Sequence, residues 1–483
     1  MKKSTRLLAL LLVVILAVGM FAACGNTEPE ETTAATTEAT TEATTEATTE
    51  ATTEATTEAT TEAPVSNYDG YEFTINNNKF FPTYTEDGAF LSAEDEALAN
   101  KLEALEAELN ITIVHKAIET ESLIESITTA AMSDTMLTDV LYAHQENFIP
   151  AAKAGYIYAV DGAEMTAAGL DYSDATRWYQ PTTTEVFVFD HYWGVDVASE
   201  HVDCRTGYFV TFNHDLVTAA GYEDLYQLTR DKAWTWEVYM DIATKVTKDT
   251  NGDGVFDYFG TGATAWGCEA VCNGVNYIEV DENGKWVVGV DSDAGIEALQ
   301  FLYDMNYGSA TRLDEGSGTC RQAFADGFIA FNWSTMGNIS SPDSTIRQSN
   351  HEYGIVPMPL GPKATEYSCA NDDLDLLFVQ TANKDLNRTV DILNNWALIV
   401  NDTESYLNIL DDGRCNTEED KEMLVTYCIP NYTLVMMEIT DEIYDPIDAG
   451  IISGVSYYQM TPAQAIETYA GQIQAALDNF FNN

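Results

Sequence analysis

From Thr36 to Ala63 the chain repeats Thr-Thr-Glu-Ala seven times, and that stretch decides where a fold can form. It holds no aromatic or branched apolar residue to bury, so nothing offsets the entropy of ordering it. Its evenly spaced glutamates repel one another and keep the chain extended. The repeat reads as a flexible spacer. A threonine-rich tract can also carry O-glycans, and both readings put the rest of the chain outside the cell.

Ahead of the spacer, Lys2, Lys3 and Arg6 precede an apolar run from Leu7 to Val18, then Phe21-Ala22-Ala23-Cys24. A basic start, a short apolar run and small residues make a secretory signal, and the run is too short to span a membrane stably. Cys24 after two alanines resembles the lipobox of bacterial lipoproteins. The resemblance implies cleavage before Cys24, a diacylglycerol on its thiol and tethering to the outer face of the cell membrane. The plainer alternative is a soluble secreted protein with an incidental cysteine. Residues 1–23 are thus expected to be a signal peptide and residues 24–66 a lipidated, disordered tether.

What remains, roughly residues 67–483, is too long for one ordinary core and suits two domains. At 45% hydrophobic residues overall there is enough to bury. No second long apolar run exists, so the chain is no permease. Its charge excludes some partners. Three of the 22 basic residues lie in the signal and ten of the 78 acidic ones beside or within the spacer, leaving 19 against 68, a net of −49. Nothing there neutralises phosphates, so nucleic acid is excluded and polyanions are disfavoured. Neutral or cationic ligands fit, and solubility outside the cell accounts for most of the acidity. With Cys24 lipidated, seven irregularly spaced cysteines remain, and an odd number argues against a disulfide framework. Cys268 and Cys272 could pair or share a helix face; buried free thiols are the simpler reading.

Apolar spacing lays out the elements. Tyr71–Ile75 alternates as a strand; Leu98, Leu102, Leu105 and Leu109 mark a helix; Ile111–Val114 is a strand, Ser122–Met132 a helix and Asp139–Tyr142 a strand. Phe148–Ala154 is a short helix closed by Gly155. Further on come strands at 208–213, 328–333, 353–357 and 376–379, and helices at 235–247, 292–305, 385–402 and 463–481. Thr235 is expected to cap the second-half helix that Glu237 opens and Lys245 and Lys248 close. Strand–helix alternation of this kind implies an α/β fold with mostly parallel sheets and helices on both faces.

Four segments, taken in order, carry a family likeness: "TDVLYAHQENFIPAAKAGYIYAVDG" (Thr138–Gly162), "GYFVTFNHDLVTAAGYED" (Gly207–Asp224), "WTWEVYMDIATKVTKDTNGDGVFDYFG" (Trp234–Gly260), and "FADGFIAFNWSTMGNI" (Phe324–Ile339) followed by "YGIVPMPLGP" (Tyr353–Pro362). Their order and spacing resemble extracellular solute-binding protein family 1, the maltose-binding-protein-like sugar-binding lipoproteins of ABC importers. The resemblance implies a two-lobed, type II periplasmic-binding-protein-like fold. Each lobe is then a sheet flanked by helices, with a ligand cleft between. It puts residues 68–192 and 374–440 in the N-terminal lobe and 193–373 and 441–483 in the C-terminal lobe. It implies a monomer that captures a carbohydrate, an oligosaccharide by preference, and delivers it to membrane permease subunits.

The same resemblance nominates site residues. Tyr142-Ala-His144-Gln145-Glu146 follows the third strand and resembles the family's aromatic–Ala–His–acid loop; Gln145 stands where the acid is expected and Glu146 follows, so either could reach a hydroxyl. Trp266 and Trp333 lie where the family places cleft aromatics. A flat aromatic for the sugar's C–H face, with amides and carboxylates for its rim, is the chemistry needed. Separately, Asp249, Asn251, Asp253, the Val255 carbonyl and Asp257 match positions 1, 3, 5, 7 and 9 of a calcium loop, with Gly254 at 6. Position 12 is Gly260, so the bidentate acid is missing or comes from elsewhere. The expectation is a structural Ca2+; the alternative is a polar turn. Catalytic motifs are wanting: no His-Glu-x-x-His, Gly-x-Ser-x-Gly or phosphate-cradling loop occurs, and neither an enzyme nor a catalytic cofactor is expected. Competing readings keep the fold but bind a peptide or cationic solute, or make the chain a glycan-active surface enzyme or adhesin.

Overall fold

The computed structural model describes residues 66–199, 206–262, 264, 267–309 and 311–482. The signal, Cys24, the spacer and Trp266 lie outside the described residues.

The first lobe begins with β1 (Tyr71–Ile75), α1 (Ala93–Leu109), β2 (Ile111–His115), α2 (Leu123–Met132), β3 (Leu141–His144) and α3 (Gln145–Lys153). β1 and β2 pair in parallel from Tyr71↔Ile111 to Ile75↔His115, and an Ile75↔Val140 bridge extends the parallel run towards β3. The leucines that set the helical spacing of α1 are its buried face, and Ser92 caps it by accepting from the Asp95 N–H. That face joins Phe73, Ile75, Val140, Trp178 and Trp396 in one core.

The second lobe is built on β4 (Phe209–Asn213), α4 (Trp236–Val246), β5 (Phe259–Thr261), α5 (Asp293–Tyr303), β6 (Ile329–Ser334) and β7 (Tyr353–Pro357). Its sheet has the order β5-β6-β4-β7. Thr235 caps α4 as its sequence implies, accepting from the Val238 N–H. Aromatic stacking ties helix to helix and helix to sheet: Trp236 of α4 lies on Phe301 of α5 at 4.3 Å, and Tyr239 of α4 on Phe331 of β6 at 4.6 Å.

The chain then returns through β8 (Cys369–Asn371) and β9 (Asp375–Phe378) to α6 (Leu386–Val400), and crosses again at β10 (Tyr432–Leu434) before α7 (Pro462–Phe480). β9 enters the first lobe antiparallel to β3, with His144 opposite Asp375, and Val195 pairs along its other edge. β4 is antiparallel to both β6 and β7. Both sheets are therefore mixed, not mostly parallel. Strands arriving from the other lobe enter from the opposite end, which a reading by local βαβ units does not anticipate.

At the crossovers β8 and β10 run side by side in parallel, Cys369 opposite Tyr432. Gly207, at φ +69°, lies so close that a Cβ would meet the Cys369 carbonyl oxygen at 2.1 Å. Only glycine fits there. Leu410, Leu424 and Cys428 share a core with Phe209, Phe324 and Ile355.

Candidate functional site

The carboxyl ends of β1, β2 and β3 open onto a cavity of about 890 Å³, whose lining runs from Asn76 through residues 118–125 to Glu146 and Pro150. The opposite wall is the segment 438–444. Ligands of open α/β sheets bind beyond strand carboxyl ends, and this is that position. A second cavity of about 400 Å³ lies at the crossovers, between Lys79, Tyr208, the turn 335–337 after β6, and residues 371–375.

His144 joins these regions. Its Nε2 stands 3.1 Å from Asp373 Oδ1 and 3.3 Å from Glu438 Oε2, linking the end of β3 to a crossover and to the far wall. Burial lowers its proton affinity, but the Asp373 hydrogen bond and the charges of Asp373, Glu438 and Asp375 outweigh it, so the imidazole is raised above its ordinary value. The carboxylates around it respond in kind. Burial and the charges of Asp372, Glu146 and Asp373 push Glu438 up to about 7, against the pull of His144. Asp372 is raised by burial and by Asp373, again against His144. Asp448, raised by burial and by Asp445, interacts with the Tyr444 hydroxyl.

The expected loop divides its labour. Gln145 is 1% exposed; its amide donates to the Asp372 carbonyl at 2.6 Å and accepts from the Leu374 N–H at 2.7 Å. It is a strut between β3 and the crossover, with both functions engaged. Of the two, Glu146 is the one that lines the larger cavity. Tyr142 is 3% exposed and edge-on to Phe80 at 5.0 Å. Its backbone is clamped by Asn76, and its hydroxyl takes the Lys79 ammonium, which lies 3.9 Å from the ring centroid. Tyr142 thus acts on the cleft by holding Lys79.

Trp333 is corrected. It is 3% exposed, packs in the second-lobe core and donates its indole N–H to the Tyr239 hydroxyl at 3.1 Å. Along β6 it shares the face of Phe331, which stacks on Tyr239 under α4, so it offers no surface to a solute.

The acidic loop between α4 and β5 draws its nominated residues together. Asp249 accepts from the N–H groups of Asn251, Gly252 and Gly254; Asp253 accepts from Val255; Asp257 accepts from Thr250 and Asn251. Gly260, at the twelfth position, packs against Ala243, where a Cβ would come within 2.4 Å. Among the described residues no group of three or more His, Cys, Asp or Glu side chains is arranged to hold a metal ion.

Sequence reasoning missed Asp372, Asp373, Glu438 and Tyr444. The Asn371-Asp-Asp-Leu-Asp375 run was visible, but in so acidic a chain nothing marks it as lying at a crossover.

Residues 86–403 match the bacterial extracellular solute-binding protein family. The chain belongs to that family. No curated protein matches its sequence. Solved structures share the fold at low identity. The GacH receptor of Streptomyces glaucescens, solved unliganded and with acarbose, is 16% identical over 86% of this chain and 99% of its own, with a TM-score of 0.55. UspC of Mycobacterium tuberculosis is 13% identical over 84% of this chain and 100% of its own, at 0.58. The ABC substrate-binding protein Lmo0181 of Listeria monocytogenes, in complex with cycloalternan, is 15% identical over 86% and 100%, at 0.54. These likenesses establish a two-lobed binding-protein fold. No helix among the described residues is long and apolar enough to cross a membrane.

Proposed function

We propose that this protein captures a carbohydrate in the cleft between its lobes and delivers it to the permease of an ABC importer. Cys24 and the Thr-Glu-Ala spacer hold it at the outer face of a bacterial cell membrane. The observation that carries the reading is the two-walled cavity of about 890 Å³ at the carboxyl ends of β1–β3, in a chain of a solute-binding family. Such a volume holds a ligand of sugar-oligomer size. Relatives of the same fold have been solved with acarbose and with cycloalternan, which supports a sugar oligomer as the solute here.

Capture needs no covalent step. A ligand that touches both walls only when they approach shifts the population to the closed state by its differential affinity. Glu146 and Glu438 supply acceptors for hydroxyls on opposite walls. Trp266 is the candidate platform for the sugar's apolar face. The test is a thermal-shift screen against sugars, amino acids, peptides and polyamines, because binding to the folded state raises Tm by mass action. Stabilisation by oligosaccharides, weakened in Trp266→Ala, supports the proposal. Stabilisation by amino acids or peptides alone overturns it.

A further inference from the structure

The smaller cavity, of about 400 Å³, is walled from both lobes and from the crossovers between them: by Lys79 of the first lobe, the turn 335–337 of the second, and residues 206–208 and 371–375 of the crossovers. Two of its crossover side chains, both partly buried, are left unspent by the fold. Among the described residues the Tyr208 hydroxyl makes no hydrogen bond, and the Asp372 carboxylate is met only by its own N–H. Burial, and after it the charge of Asp372, hold the Tyr208 hydroxyl above its ordinary value, so it keeps its proton and remains a donor.

The backbone clamps both residues in place. The Tyr208 N–H donates to the Ala370 carbonyl at 2.7 Å, next to the close approach of Gly207 to Cys369. The Asp372 carbonyl accepts from the Gln145 amide at 2.6 Å, and the Leu374 N–H donates to the same side chain at 2.7 Å. A phenol and a carboxylate drawn partly out of water and given no partner cost free energy until something supplies one. A sugar hydroxyl supplies both at once, because it accepts and donates.

We infer that one sugar ring of the solute sits in this crossover cavity, with a ring hydroxyl bridging Tyr208, which donates to it, and Asp372, which accepts from it. This rests on the carbohydrate reading and adds where one ring is held and by which groups. Both residues stand on the crossovers, so the seat is the same whether the lobes are apart or together, and it is pre-organised in either state. Contacts equal in two states add affinity without shifting the balance between them. The shift to the closed state then comes from Lys79 and the turn 335–337, which approach the seated ring from the two lobes. Tyr208 and Asp372 decide what is held, not whether the lobes close.

The experiment is calorimetric titration, paired with small-angle scattering, of wild type, Tyr208→Phe and Asp372→Asn with maltotriose, cellotriose and xylotriose. Both substitutions are nearly isosteric, so the fold is kept. For a trisaccharide that binds wild type, the expected Kd is about fivefold weaker in Tyr208→Phe and about tenfold or more weaker in Asp372→Asn, where a charged acceptor is lost. The fall in radius of gyration at saturation is expected to be the same in all three proteins. An unchanged Kd in either variant overturns the bridged hydroxyl and leaves the carbohydrate reading standing. Weaker binding together with a smaller fall in radius places the pair in closure and overturns the fixed seat. Trisaccharides that bind none of the three proteins overturn the carbohydrate reading, and this inference with it.

Discussion

Two acidic regions of this molecule use the same side chains to opposite ends. In the loop at 249–258, Asp249 and Asp257 are exposed and satisfied locally, by the N–H groups of Gly254 and Gly252 and by Thr250, and those hydrogen bonds hold both carboxyls below their ordinary value. In the cleft, burial raises both Asp372 and Glu438, helped by the charge of Asp373 on Asp372 and by those of Asp372, Glu146 and Asp373 on Glu438. A carboxylate that the backbone has already answered stabilises a turn. One that the fold buries among other carboxylates holds its proton to higher pH, with His144 pulling the other way. Charge count alone cannot tell them apart; what differs is solvent and the direction of nearby N–H groups.

The largest expected effect separates burial from crowding as causes of the raised cleft carboxyls. Glu269 is wholly buried in the second-lobe core; its Oε1 accepts from the Tyr277 hydroxyl at 2.7 Å, and its Oε2 has no partner. Burial alone pushes it up to about 7 from 4.5. Raised in the folded state, it contributes stability that is complete below about pH 4.5 and lost as pH rises through 7, about 3 kcal/mol in all. Glu438 follows the same sign over the same window. Wild-type Tm should therefore fall between pH 5 and pH 8, and Glu269→Gln, which keeps an acceptor for Tyr277 and cannot ionise, should visibly reduce the fall, leaving the share of Glu438. An undiminished fall would assign the slope to the crowded cleft instead.

How much of this was legible in the sequence follows from range. Local patterning gave α1 by its leucines, α4 by its Thr235 cap and β1 by its alternation, because those patterns are set by neighbours a few residues away. Strand direction was not legible. β4 and β9 run antiparallel because the chain has just crossed between lobes, a long-range event. The site divided in the same way. The loop after β3 was found from its place beyond a strand end, yet Gln145 is spent on the backbone of residues 372–374, more than two hundred positions away. Trp333 read as a cleft aromatic and is a core one, since the partner that buries it, Tyr239, lies on α4. Glu438 and Asp373 acquire meaning only by meeting His144.

A smaller effect probes that meeting. With its proton affinity raised, the His144 imidazolium contributes most below about pH 6.5, and the contribution is lost as pH rises past its folded value. Asp373 is half exposed, so solvent screens its share. His144→Gln should cost about 1 kcal/mol of stability near pH 5.5 and little at pH 9, read from denaturant midpoints. An equal loss at both values would make His144 a neutral packing residue and remove it from the electrostatics of the cleft.

The smallest effect lies in the exposed loop and tests the other half of the comparison. Its carboxylates are answered by the loop's own N–H groups, and the acid expected at the twelfth position is replaced by Gly260. We propose that calcium binds there weakly and structurally, raising Tm in titration with a shift that EDTA reverses and Asp249→Asn abolishes. The loop precedes β5, at the end of the second-lobe sheet opposite the turn at 335–337 that lines the smaller cavity, so solute affinity should be the same with calcium and with EDTA. A Tm unmoved by calcium would leave a turn closed by its own amides. A calcium-dependent change in solute affinity would couple the two acidic regions and break the contrast between them.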